Sequence, residues 1–114
     1  MKDCLFLLRG GVPMADKSEA EVKAELQSWN TYMGDLQKKG KLVGGLPLVS
    51  GGKTVTAKKT NDEAVTSAKE GIVGGYLIVK ADSLDEAAKI ANSCPHISNE
   101  GNIEVREIGV MPTA

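Results

Sequence analysis

His96 is the only histidine in the chain, and it follows Pro95 at the end of a helical pattern. A histidine so placed can act as a general base or touch a ligand. It can equally be a loop residue that hydrogen-bonds a backbone carbonyl. Arg9 ends an apolar run just before Gly10-Gly11. A guanidinium at the end of a buried strand must meet an anion, either a protein carboxylate such as Glu104 or the carboxylate or phosphate of a ligand. Arg106 presents the same choice with more solvent around it. Trp29 and Met33 share one helical stripe, and Tyr32 lies off its centre, where its hydroxyl can reach a partner. Trp29 and Tyr32 suit the wall of an apolar pocket, and they suit plain core packing as well.

Other chemistries find no foothold. There is no His-x-x-x-His, no Cys-x-x-Cys and no ladder of carboxylates, so no metal is expected. Gly44-Gly45 and Gly74-Gly75 fit neither Gly-x-Gly-x-x-Gly nor a P-loop, and neither pair opens a helix that would hold a phosphate. They read instead as bulges or points of close packing. Cys4 and Cys94 sit inside predicted elements and read as buried, reduced thiols, with a disulfide or a reactive thiol as the alternative. A net charge of −1 with no basic patch excludes an electrostatic footprint for nucleic acid. One tryptophan, two tyrosines and one phenylalanine are too few for a base-stacking surface. The N-terminal apolar run is too short for a signal peptide or a membrane span, so a cytoplasmic protein with no membrane partner is expected.

The elements that position these residues follow from pattern. A chain of 114 residues with 41% apolar content has room for one domain, 1–114, with a real core. Residues 4–9 read as a strand apolar on both faces, hence central and covered on both sides. Ser18-Glu19-Ala20-Glu21 has capping-box spacing and opens a helix. Val22, Leu26, Trp29, Met33 and Leu36 form its apolar stripe, and Gly40 suits its C-terminal cap. Residues 42–49 form a second strand. After a turn at Ser50-Gly51-Gly52-Lys53, residues 54–58 are expected to hairpin back on it. Residues 60–72 read as a loop with a helical turn near 63–67.

The most legible stretch comes next. Gly74-Gly75 precedes a β-rich run over 76–81, and Ser83-Leu84-Asp85-Glu86 is a second capping box. Leu84, Ala87, Ala88 and Ala91 give that helix an apolar and mostly small face, and Cys94-Pro95 should end it. Residues 102–110 are the last strand, with Ile103 and Val105 facing one way and Glu104 and Arg106 the other. The order predicts an α+β fold, a ferredoxin-like βαββαβ arrangement with an extra β-hairpin arm and both helices on one sheet face. The opposite face would be left apolar, so a homodimer packed sheet to sheet is expected.

Phe6-Leu7-Leu8-Arg9-Gly10-Gly11, Trp29 and Tyr32 ahead of Gly40-Lys41-Leu42-Val43-Gly44-Gly45, Ala68-Lys69-Glu70, Gly74-Gly75-Tyr76, Cys94-Pro95-His96 and Ile103-Glu104-Val105-Arg106 resemble the YCII-related family. The branch closest in pattern is the DGPF type. The resemblance implies a dimeric α/β barrel built from two ferredoxin-like units. Two departures stand out. The branch's Asp-Gly-Pro-Phe motif reads Asp62-Glu63-Ala64-Val65 here, so only the aspartate is kept. Other members carry a helix histidine with an aspartate partner as a proposed catalytic pair. That histidine's place holds Trp29, which cannot transfer a proton.

A cleft between sheet and helices, rimmed by Arg9, Trp29, Tyr32, Asp62 and His96, is the resulting expectation. Arg9 would hold an anionic group, Trp29 and Tyr32 would wall an organic ring or chain, and His96 or Asp62 would move a proton. Proton chemistry of lyase or isomerase type needs no cofactor. The alternative is a non-catalytic ligand-binding or regulatory dimer using the same pocket.

Overall fold

A computed structural model describes residues 1–49, 51–62 and 71–112. The chain begins with β1 (Lys2–Gly10), passes through a short 3-10 turn at Met14–Asp16, and enters α1 (Glu19–Lys38). Ser18 caps α1 with a complete capping box, accepting from the Glu21 amide while the Glu21 carboxylate accepts from the Ser18 amide. Gly40, at φ 68°, takes the left-handed position beyond the helix end. Then come β2 (Leu42–Pro47), β3 (Thr54–Val55), β4 (Thr60–Asn61) and β5 (Val73–Ala81). α2 (Leu84–Asn92), α3 (Pro95–Ser98) and β6 (Gly101–Glu107) complete the chain. None of the described helices is long and apolar enough to cross a membrane.

The main sheet is antiparallel with strand order β2-β5-β1-β6. With the two arm strands set aside, the order is second, third, first, fourth, which is that of a ferredoxin-like sheet. Alternation along β1 sends Cys4, Phe6 and Leu8 to one face, where they are buried with Leu77, Val79 and Ala81 of β5. Leu36 of α1 and Ala87 and Ala91 of α2 close over them, with Trp29, Tyr32, Met33, Ile90, Ile103 and Val105 at the margin. The alanines let α2 lie close to the sheet. Gly45 allows another close approach, since a Cβ there would stand 2.5 Å from both the Leu77 side chain and the Tyr76 carbonyl.

Four expectations need correction. Residues 54–58 do not fold back on β2. Thr54 and Val55 pair with Asn61 and Thr60 instead, around a tight turn in which the Thr56 amide donates to the Lys59 carbonyl at 2.8 Å. The left-handed Gly51 and Gly52 carry the chain away from β2 before β3 begins. Cys94-Pro95 does end α2, but Pro95 also starts α3, because a proline fits the first helical position, where its missing N–H is not needed. Leu26 does not join the core stripe and is 52% exposed. β1 is central, yet helices cover only one of its faces; Leu5 and Leu7 on the other are part-exposed. The expected helical turn at 63–67 and the Lys69-Glu70 pair lie outside the described residues.

The body is a two-layer slab, with extents of 48 × 45 × 20 Å. Its helix-free face shows Leu5 and Leu7 beside their cross-strand partners Ile78 and Tyr76, with Leu46 next to Tyr76 on β2.

Candidate functional site

Three chain segments converge where β1 ends. Arg9 and Gly10 of β1 lie opposite Asn102 and Gly101 of β6, and the Gly10 amide donates to the Ile72 carbonyl at 3.2 Å. Gly71, at φ 102°, is packed so tightly that a Cβ on it would lie 3.0 Å from the Gly10 nitrogen. The convergence depends on residues without side chains.

His96 occupies the helix side of this junction. Its Nε2 lies 2.8 Å from the Arg9 carbonyl oxygen. A carbonyl can only accept, so Nε2 carries the proton, and Nδ1 is the basic nitrogen of the neutral ring. The ring fills the space beside Gly101, where a Cβ would sit 2.2 Å from Nε2, and rests against Gly11, where a Cβ would lie 3.1 Å from Cε1. Asn99 adds two bonds to the same loop: its backbone carbonyl accepts from the Val12 amide at 3.1 Å, and its side-chain amide donates to the Val12 carbonyl at 3.4 Å.

The Arg9 side chain points the other way, with Leu5 and Leu7, onto the helix-free face. Its Nη2 faces Glu104 Oε1 at 3.5 Å and its Nη1 donates to the Gly71 carbonyl at 3.2 Å. Glu104 Oε2 accepts from Arg106 Nη1 at 3.2 Å. One carboxylate thus stands between two guanidiniums.

Trp29 and Tyr32 lie in the helix layer, edge to face with ring centroids 6.1 Å apart. The Tyr32 hydroxyl donates to the Ile90 carbonyl at 2.7 Å, which ties α1 to α2. Burial, with Cys94 close by, raises the Tyr32 phenol well above its ordinary range. Both cysteines are free and buried, and desolvation pushes the Cys94 thiol up to about 11, so it is a packed thiol and no nucleophile at neutral pH. A shallow, open groove of about 600 Å³ runs between α1 and the end of α2, walled by Gln27, Ser28, Thr31, Tyr32, Asp35 and Ser93. Asp62 belongs to the β3–β4 arm, is exposed, and pairs with Lys53.

The five residues expected at one cleft therefore occupy three places. His96 and Arg9 meet through the Arg9 carbonyl, on opposite faces of one strand end. Trp29 and Tyr32 form a pair in the helix layer, and Asp62 stands on the arm. Among the described residues, no group of three His, Cys, Asp or Glu side chains could hold a metal. Sequence reasoning missed Gly71 and Gly101; the Asn-Glu-Gly turn before β6, with Glu100 at φ 64°, was the signal for the second.

The profile of the YCII-related domain matches residues 12–112. No curated protein sequence matches the chain. Among solved structures, 5-chloro-2-hydroxyhydroquinone dehydrochlorinase (TftG) from Burkholderia phenoliruptrix AC1100, in complex with 2,5-dihydroxybenzoquinone, is similar in fold. The TM-score is 0.55 and the identity 18%, with 93% of each chain covered.

Proposed function

The chain belongs to the YCII-related family, and from that premise we propose that it is a small-molecule enzyme working as a homodimer. Its reaction is cofactor-free proton transfer of the lyase or isomerase kind, on a small anionic or aromatic compound. The observation that carries this reading is the bond from His96 Nε2 to the Arg9 carbonyl. It fixes the tautomer and orients the ring, as a general base requires. The Arg9 side chain lies on the opposite face of the same strand end, so its role is to bind an anionic group of the ligand and not to meet charge beside the His96 ring. Trp29 and Tyr32 wall the helix side, and Asp62 on the arm is the second candidate proton carrier.

The dehydrochlorinase that shares the fold was solved with a dihydroxybenzoquinone, so hydroxylated arenes are the first substrate class to test. In a 1,4-dihydroxyarene bearing a leaving group, one hydroxyl proton moves to the substituted carbon and a base takes another. The leaving group departs with the electron pair of its bond. The product is a quinone, and no external oxidant is consumed. The homodimer is supported by the part-exposed apolar face of the sheet and by the barrel that the family resemblance implies.

The test is incubation with chlorinated hydroquinones while chloride release is followed. Turnover is expected in the native chain, with a loss of about a hundredfold or more in His96→Gln. Arg9→Ala is expected to raise KM, as the loss of an anion-binding group requires. Saturable binding of hydroxyquinones with no chloride release from any compound would instead establish the non-catalytic ligand-binding dimer. One observation favours that second reading: Asp62, the second candidate proton carrier, is held by Lys53.

A further inference from the structure

We infer that Arg9, Glu104 and Arg106 form an organic-anion subsite on the helix-free face of the sheet, closed by a second copy of the chain. The inference rests on the homodimer reading above and names the residues that select the ligand's charge. Along this face, alternation places Asp3, Leu5, Leu7 and Arg9 on β1, and Lys80, Ile78 and Tyr76 on β5. Arg106 and Glu104 stand beside Leu5 and Leu7 on β6. The charges are not spread evenly. At one end Asp3 lies directly across from Lys80, opposite charges at facing positions of the register.

At the Arg9 corner, two guanidiniums share one carboxylate. Glu104 uses one oxygen for Arg9 and the other for Arg106. Arg9 spends one further donor on the Gly71 carbonyl. Three bonds leave most of the pair's guanidinium N–H donors without a partner among the described residues; the Arg106 side chain is 66% exposed and that of Arg9 20%. In a single copy water satisfies them. A second sheet laid on Leu5, Leu7, Tyr76 and Ile78 removes that water and leaves a positive charge beside an apolar patch. Twofold symmetry repeats the corner in the second copy.

A small anion resolves the mismatch. A planar carboxylate or phenolate fits the guanidinium fork, and Leu7 and Tyr76 offer apolar surface to a flat carbon body. Glu104 then has two effects. It holds both arginines in place, and it competes with the ligand for their donors. Removing its charge while keeping its shape should tighten binding.

The experiment measures mass by light scattering during sizing, and benzoate binding by calorimetry, on the native chain, Arg106→Ala and Glu104→Gln. Neither side chain is buried in the core, so both variants are expected to fold; circular dichroism checks this. The expected result is a dimer in all three. Benzoate should bind the native dimer saturably, about tenfold or more weakly in Arg106→Ala and severalfold more tightly in Glu104→Gln. Benzyl alcohol, which keeps the ring and lacks the charge, should not bind. A native dimer whose benzoate affinity neither variant moves, or that binds no benzoate, overturns the subsite and leaves the dimer standing. A native monomer overturns the homodimer reading, and the closed subsite with it.

Discussion

Gly101 and His96 act as one unit, because the imidazole fills the volume that any side chain at position 101 would need. Gly101→Ala must expel the ring from its place against the Arg9 carbonyl. Overpacking of this kind costs about 1–3 kcal/mol, readable as a lower urea midpoint. Adding His96→Ala should return part of that loss, since it empties the same volume; a strictly additive double variant would contradict the packing described. Cys94 gives a second prediction at this scale. Its folded-state pKa of about 11 lies above its ordinary 9.0, so the protonated thiol favours the folded chain. That contribution is complete below pH 9 and is lost as pH rises through 11. It amounts to about 3 kcal/mol between those limits. Cys4 and Tyr32 are shifted in the same direction. Urea midpoints should therefore fall steeply over this window, and Cys94→Ala, though less stable throughout, should show a flatter alkaline limb.

At the scale of elements, the two long helices are started by the same device with unequal completeness. Ser18 and Glu21 exchange both bonds of the capping box. Ser83 accepts from the Glu86 amide, but the Glu86 carboxylate bonds Lys41 at 2.8 Å and the Asp82 amide at 3.2 Å. Ser18→Ala and Ser83→Ala should each cost about 1 kcal/mol in urea unfolding. The Glu21 carboxyl is held below its ordinary 4.5, chiefly by the Ser18 amide. Its contribution is therefore present above pH 4.5 and lost as pH falls. Ser18→Ala keeps the backbone amide and removes only the smaller share of the hydroxyl, so its difference from the native chain should shrink only modestly in acid. These helix starts were legible in the sequence because capping is local. β3 was misassigned because Thr54 and Val55 suit any strand partner, and only the left-handed glycines before them decide which one. α3 was missed because Pro95 reads as a stop from upstream and as a start from downstream. The split of the candidate site was hidden for a different reason: Arg9 and His96 touch the same peptide from opposite faces, and no spacing in the chain records which face a distant residue reaches.

At the scale of the whole molecule, a slab 20 Å thick has one layer of helices and one sheet, and the sheet's second face is unclosed. Leu7 stands near the middle of that face and outside the helix-side core. A charge there should block association while leaving the fold intact. Leu7→Asp is expected to halve the mass seen by light scattering and to keep the native circular dichroism spectrum. A native-mass Leu7→Asp dimer would place the association surface elsewhere. The ferredoxin-like arrangement was legible in the succession strand, helix, strand, strand, helix, strand; the two apolar parities of Cys4 to Arg9 told only that neither face of that strand suits water.

The β3–β4 arm departs after Pro47 and the chain returns at Val73, and the two points adjoin: Pro47 pairs with Gly75, and the Leu48 amide donates to the Gly74 carbonyl at 2.9 Å. The sheet is thus stitched shut beneath the arm, which hangs from it as a loop of nearly free length. Doubling such a loop costs only about 0.6 kcal/mol. The arm can therefore be lengthened or trimmed with little cost to the sheet, and it is rooted beside the end of β1, where Val73 lies opposite Arg9.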